Sequence, residues 1–178
     1  MNAPESRLEA RVRRAYERGR LRSAALRAMP IVPFVALATV GCSAPREVVV
    51  CGAVLVVAVI GLLWRGQELG AGVGPGFGAG LLPLLLPVAS RLTGHPCTAG
   101  SCYVMPIVCA LGGLAGGILL GLMAPAPGAG RRVSFVVACA VAALTGAVGC
   151  LLYGLVGLVV MVAGLAVGAT PLVAARRA

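Results

Sequence analysis

The chain has no lysine and no aspartate, a single histidine (His95) and only 4% aromatic residues. Charge of either sign is scarce: 11% of residues are charged, against about 25% in ordinary soluble domains. The absence of lysine fits a codon bias toward arginine and carries no chemistry. The other shortages remove the usual catalytic constellations. No serine is flanked as a nucleophile elbow, and no glycine-rich loop runs into Lys-Ser or Lys-Thr. The alternating glycines between residues 70 and 80 never complete GxGxxG, because Pro75 and Ala79 stand where a third glycine is required. Nor does an ionisable residue fall near the middle of any apolar run. Glu47, Glu68 and Arg91 lie at run edges, where reaching water is cheap, whereas ion-coupled transporters and proton relays need a charge at mid-membrane. Neither an enzyme nor a bound cofactor is expected.

What is abundant is apolar surface. Hydrophobic residues make up 60% of the 178, against roughly 45–50% in soluble domains. A soluble domain of this length must still cover itself with polar groups, so lipid has to supply the missing partner. The expected fold is all-α, a polytopic transmembrane helical bundle. A span takes about 20 apolar residues. Reading between charges gives spans at residues 28–43, 48–64, 69–89 and 103–124, followed by an uncharged run over 133–175. As one helix at about 1.5 Å per residue, that run would be roughly 65 Å long, about twice the hydrocarbon thickness. It must fold back, with the turn expected between Gly149 and Gly157, giving spans at 133–152 and 154–173.

Six spans with both termini in the cytoplasm put the N-terminal arginines, Arg65, Arg131, Arg132, Arg176 and Arg177 inside, leaving only Arg46 and Arg91 outside. That satisfies the positive-inside rule, where five spans would strand a cluster on the wrong face. The implied organisation is a basic cytoplasmic helix over 1–28, a six-helix membrane domain over 29–175 and a cytoplasmic tail over 176–178. In bacterial terms this is a multi-pass inner-membrane protein. The 28 residues before the first apolar stretch argue against a secretion signal.

Glycine spacing carries the packing signal. Gly112/Gly116, Gly113/Gly117/Gly121 and Gly164/Gly168 form small-xxx-small ladders that let helix backbones approach closely. In the third segment Gly70/Gly74/Gly78 and Gly72/Gly76/Gly80 fall on nearly opposite faces of a helix. The favoured reading is a thin helix between two neighbours. The alternative is a re-entrant stretch broken at Pro75, with regular helix beginning near Gly80.

Of seven cysteines, Cys51, Cys109 and Cys139 fall inside spans and read as small hydrophobes. Cys42, Cys97, Cys102 and Cys150 fall at the outer face. The outer loop holds His95, Cys97 and Cys102 together, and three readings of it stay open. Cys97 and Cys102 can close a disulfide loop. With Cys150 they can act as redox-sensing thiols. With His95 they can ligate a zinc-like or other thiophilic metal, although three ligands in one loop make a weak signature.

Before the first span, Ser6-Arg7-Leu8-Glu9 matches a capping box and predicts a helix starting there. Leu8, Val12, Ala15 and Tyr16 share one face. Arg7, Arg11, Arg14 and Arg18 form an adjoining basic stripe, with Glu9 and Arg13 spaced to pair. Such a helix lies on the anionic inner leaflet or docks a cytoplasmic protein with an acidic surface. Direct nucleic-acid binding is not expected, since no interleaved aromatics support it.

The stretch from Ser101-Cys102 through residues 125–132 to Thr145-Gly146-Ala147-Val148-Gly149-Cys150-Leu151-Leu152-Tyr153-Gly154 resembles the NrsF-type membrane anti-sigma factors, over about the last 80 residues. The resemblance implies six spans, sensing thiols at Cys102 and Cys150, and a helix from Ser6 to Arg27 that holds a sigma factor. The loop after the fifth span is shorter than that family's, and the glycine-alternating segment is not typical of it. Three functions follow as expectations. The first is a membrane regulator or sensor, anti-sigma-like in action. The second is a non-catalytic accessory or assembly subunit of a membrane complex, and the third a metal or small-solute permease.

Overall fold

The computed structural model describes residues 3–40, 45–92, 104–123, 129–150 and 154–175. These form seven helices and no strand: α1 (Ala3–Ala28), α2 (Ile31–Val40), α3 (Pro45–Arg65), α4 (Gln67–Leu92), α5 (Val104–Leu122), α6 (Ala129–Cys150) and α7 (Leu155–Ala175). Four carry stretches long and apolar enough to cross a membrane: Arg46–Arg65, Leu69–Leu86, Arg132–Cys150 and Leu155–Ala174. The end of α1 and α2 together make a fifth candidate, bent by 47° at the joint, and α5 contributes the shorter apolar stretch Pro106–Leu122.

The expected first span over 28–43 contains α2, and the bend that joins α2 to α1 falls at its start. Pro30 disfavours helical backbone at Met29 and has no N–H, so α1 stops at Ala28. The joint is bridged by Met29 N–H to the Leu26 carbonyl (3.3 Å) and Val32 N–H to the Met29 carbonyl (3.1 Å). The described part of α2, 10 residues, is about 15 Å long. Helix α1 begins at Ala3, ahead of the capping box at Ser6. Pro4 suits a first turn, where its missing N–H costs nothing. The third segment is helical throughout, α4 running unbroken past Pro75. The fold-back falls where expected, between the ends of α6 and α7. There Gly154 takes φ 81°, a left-handed conformation that favours glycine.

Small residues build the interior. A Cβ at Gly72 would meet the Ser134 carbonyl oxygen, one at Gly76 the backbone of Ala138, and one at Gly80 Thr145 and Ala142. Both sets of numbers rise together, so α4 and α6 run parallel. Likewise Gly113, Gly117 and Gly121 meet Met161, Leu165 and Leu172, so α5 runs parallel to α7. Gly112 against Pro83 and Gly116 against Ala79 set α5 antiparallel to α4. The helix held between two neighbours by two glycine faces is thus α5. Of the two glycine faces of α4 only 72/76/80 is packed, and Ala79 and Pro83 make the helix's contact with α5; Gly74 and Gly78 are exposed, with nothing within 4 Å of a would-be Cβ.

Large apolar side chains lie on both sides of these contacts: Leu55, Leu84, Leu120 and Met161 are buried, while Val57 (69% exposed), Val136, Val159 and Val167 face outward. Close backbone contact through glycine, with apolar side chains left on the exterior, is the arrangement of helices packed in lipid. A soluble protein would not expose so continuous an apolar exterior.

Candidate functional site

Proline shapes the site. Pro87 has no N–H, so the Pro83 carbonyl one turn earlier loses its helical donor. The Cys150 thiol, on the last residue of α6, points to that oxygen at 3.9 Å. Cys109 on α5 packs in the same buried cluster as Cys150. Both cysteines are fully buried. The result is a chain of contacts from α5 through α6 to α4, enclosed by Ala79, Ala142, Ala147, Met161 and Leu165. Glycine makes it possible: a Cβ at Gly149 would run into the Leu84 backbone at 2.7 Å, and one at Gly146 into the Pro83 ring at 2.9 Å.

Other carbonyls released by proline find donors in the same way. Pro171 frees the Val167 carbonyl, which accepts from the Thr170 hydroxyl at 3.3 Å. The buried Thr145 hydroxyl donates back to Val141 at 2.8 Å. Among the described residues no buried side-chain nitrogen or oxygen lacks a partner.

Of the expected site residues, Cys150 falls in this pair, and its partner is Cys109, which the sequence suggested was a plain hydrophobe. Nothing local announces the pairing, since the two are 41 residues apart and on different helices. The sequence signal that was available is Pro87, which predicts an unpartnered carbonyl at Pro83. Cys51 and Cys139 are half-buried among apolar neighbours, as expected for small hydrophobes. Cys42, His95, Cys97 and Cys102 lie outside the described residues, as does the outer-loop metal or disulfide reading built on them. Among the described residues no group of three or more His, Cys, Asp or Glu side chains is placed to hold a metal.

At the other end of the bundle stands α1. Its backbone is described from Ala3, its side chains from Glu9 with that of Ala10 excepted, so the Arg7 side chain lies outside the description. Arg11, Arg14 and Arg18 are exposed, and so are Val12 (64%) and Tyr16 (69%) of the apolar stripe. The expected Glu9–Arg13 pair is replaced by Arg13 Nε to Glu17 Oε1 at 3.1 Å. That choice follows the helix's inner side. Ala24 and Ala28 are buried against the bundle, and the same side carries Arg13, Glu17, Arg20 and Arg27. Sequence reading singled out the outward stripe and passed over this one, although arginines at 13, 20 and 27 recur at heptad spacing. The ends of α3 and α5 and the starts of α4 and α6 are gathered at the α1 end. Arg65, Gly66 and Gly70 lie by α1, while Leu120 and Met123 share a hollow with Ala71, Pro75 and Ser134.

The fold and site together define a class, a helical membrane-protein bundle with a buried thiol pair at one end and an arginine-rich helix at the other. Comparison with known proteins finds no matching family model, no matching curated protein and no matching solved structure.

Proposed function

We propose that this chain is a membrane-embedded regulator in which thiols near the outer face control a cytoplasmic docking helix, in the manner of an anti-sigma factor. The observation that carries the reading is the buried pair Cys109–Cys150, held in one cluster where α4, α5 and α6 meet, with the Cys150 thiol aimed at the Pro83 carbonyl. In this reading the chain crosses the inner membrane six times with both termini in the cytoplasm. The alternating directions of α3 to α7 and the clustering of arginines at the α1 end support that topology. The outward arginines Arg11, Arg14 and Arg18, with Arg7 earlier on the same helix, then meet an acidic soluble partner, sigma-factor-like in the NrsF-type resemblance.

Oxidation by a peroxide takes two electrons and two protons from the pair, forms one S–S bond and leaves two waters. The bond would remove the Cys150 thiol proton, release the Pro83 carbonyl and re-seat α6 against α4 and α5. The test is alkylation mass spectrometry on membranes treated with peroxide. A Cys109–Cys150 disulfide forming in step with a change in partner capture is the expected result. Thiols that stay reduced while the output changes would remove the pair from the mechanism.

A second reading, an accessory or assembly subunit, is favoured by one observation. The Gly74/Gly78 face of α4 is open to a helix of another chain. Under that reading the chain co-purifies with a membrane partner whether or not residues 2–27 are present.

A further inference from the structure

The inner side of α1 meets the bundle across two adjoining hollows that share Arg20. The first, about 380 Å³, is lined by Arg20, Ser23, Arg27, Leu63, Gly66 and Gly70 among others. The second, about 550 Å³, is lined by Arg13, Tyr16, Glu17, Arg20, Trp64 and Arg65. Four guanidinium groups therefore surround the joint with one carboxylate, Glu17, and that one is bonded to Arg13. No other carboxylate lines either hollow among the described residues; Glu68 stands in the first turn of α4. Among the described side chains the arginines of the joint outnumber the carboxylates, and a bound anion offsets that imbalance.

The surroundings identify the anion's source. Trp64, 43% exposed, and Tyr16 stand beside the arginines, the pairing of aromatic and basic residues found at headgroup depth. The apolar run of α3 ends there, at Trp64-Arg65. The neighbouring face of α1 exposes Val12 and Leu26 (58%), which suits acyl chains and not bulk water. Basic pockets between helices at this level hold anionic headgroups.

We propose that the joint of α1 with α3 and α4 binds the phosphate of an anionic phospholipid through Arg20, Arg27 and Arg65. The lipid fixes the posture of α1 across its 47° bend and leaves the outward stripe free. The proposal does not depend on the thiol pair or on any protein partner.

Native mass spectrometry of the full-length chain, released from nanodiscs of equal phosphatidylglycerol and phosphatidylcholine, tests it. The wild type is expected to retain phosphatidylglycerol in preference to phosphatidylcholine. Arg20→Gln, Arg27→Gln and Arg65→Gln combined lose that preference by roughly fivefold per arginine, while Arg7→Gln with Arg11→Gln, Arg14→Gln and Arg18→Gln retains it. Equal retention of both lipids by the wild type, or an unchanged preference in the triple variant, overturns the site. Displacement of the lipid by excess inorganic phosphate overturns the assignment to a lipid. Should the triple variant fail to fold, the single changes Arg20→Gln and Arg20→Lys replace it. Gln is expected to lose more than Lys, and equal retention by both overturns the role of charge.

Discussion

At the scale of single residues, glycine and proline decide more than the large apolar side chains do. Gly76 and Gly74 are two residues apart on α4 and have opposite surroundings. A Cβ at Gly76 would press on the Ala138 backbone, while one at Gly74 meets nothing within 4 Å. Gly76→Leu is therefore expected to destabilise the bundle by about 2 kcal/mol or more through overpacking. Gly74→Ala should stabilise it by a few tenths to about 1 kcal/mol, by helix propensity. Thermal unfolding in mild detergent separates the two, and equal melting temperatures would contradict the packing described. Cys150 can be dissected in the same way. Cys150→Ser keeps a donor for the Pro83 carbonyl but cannot form a disulfide, whereas Cys150→Ala loses both. The serine variant should melt near the wild type and the alanine variant lower, by about 1 kcal/mol for an unsatisfied carbonyl. Were the serine variant the less stable, the hydrogen bond to Pro83 would not be what holds the pair.

Among the elements, α1 is attached to the bundle by little. Only Ala24 and Ala28 of its described side chains are buried, and residues 11–23 are exposed. Removing residues 2–27 should leave the melting temperature of the membrane domain within a few degrees of the full chain. A large loss would show that α1 is a structural part of the bundle. How far each element was legible follows from the physics that places it. The apolar runs and the forced fold-back near Gly154 could be read directly, because span length is set by the bilayer. The ladders on α5 and α7 could be read as packing faces. The alternation on α4 could not be resolved: residues 70/74/78 and 72/76/80 are equally small, and only the approach of α6 decides between them. The 47° bend ahead of the first span could not be read because composition counts apolar residues and does not weigh Pro30. The Cys109–Cys150 pair was hidden because it depends on how three helices meet. The arginine pairing was equally ambiguous, since Glu9 and Glu17 both lie four residues from Arg13 and only Glu17 stands on the side facing the bundle.

For the whole molecule, span-length apolar helices with an apolar exterior make the bundle a membrane object, and its two ends differ in chemistry. Arginines gather at the end where α1, Arg65 and the start of α6 meet, and the thiol pair lies toward the opposite end. The proposed sidedness has a direct test in vesicles of known orientation. Gly66→Cys, which has open space around it, and Leu155→Cys, at 73% exposure, should react with an impermeant maleimide from opposite faces. Labelling of both from one face would contradict the alternation of spans between them.

The central claim is that outer thiols control a cytoplasmic docking helix. Its most direct test is affinity capture from membranes in mild detergent, using the intact chain, a chain lacking residues 2–27, and the Cys109→Ser/Cys150→Ser double variant, each with and without peroxide. The account predicts that the reduced intact chain captures an acidic soluble regulator, that peroxide releases it, that the truncated chain never binds it, and that the double variant holds it in both conditions. The same set of proteins on all three chains, unaffected by peroxide, would contradict the account and leave α1 serving topology alone.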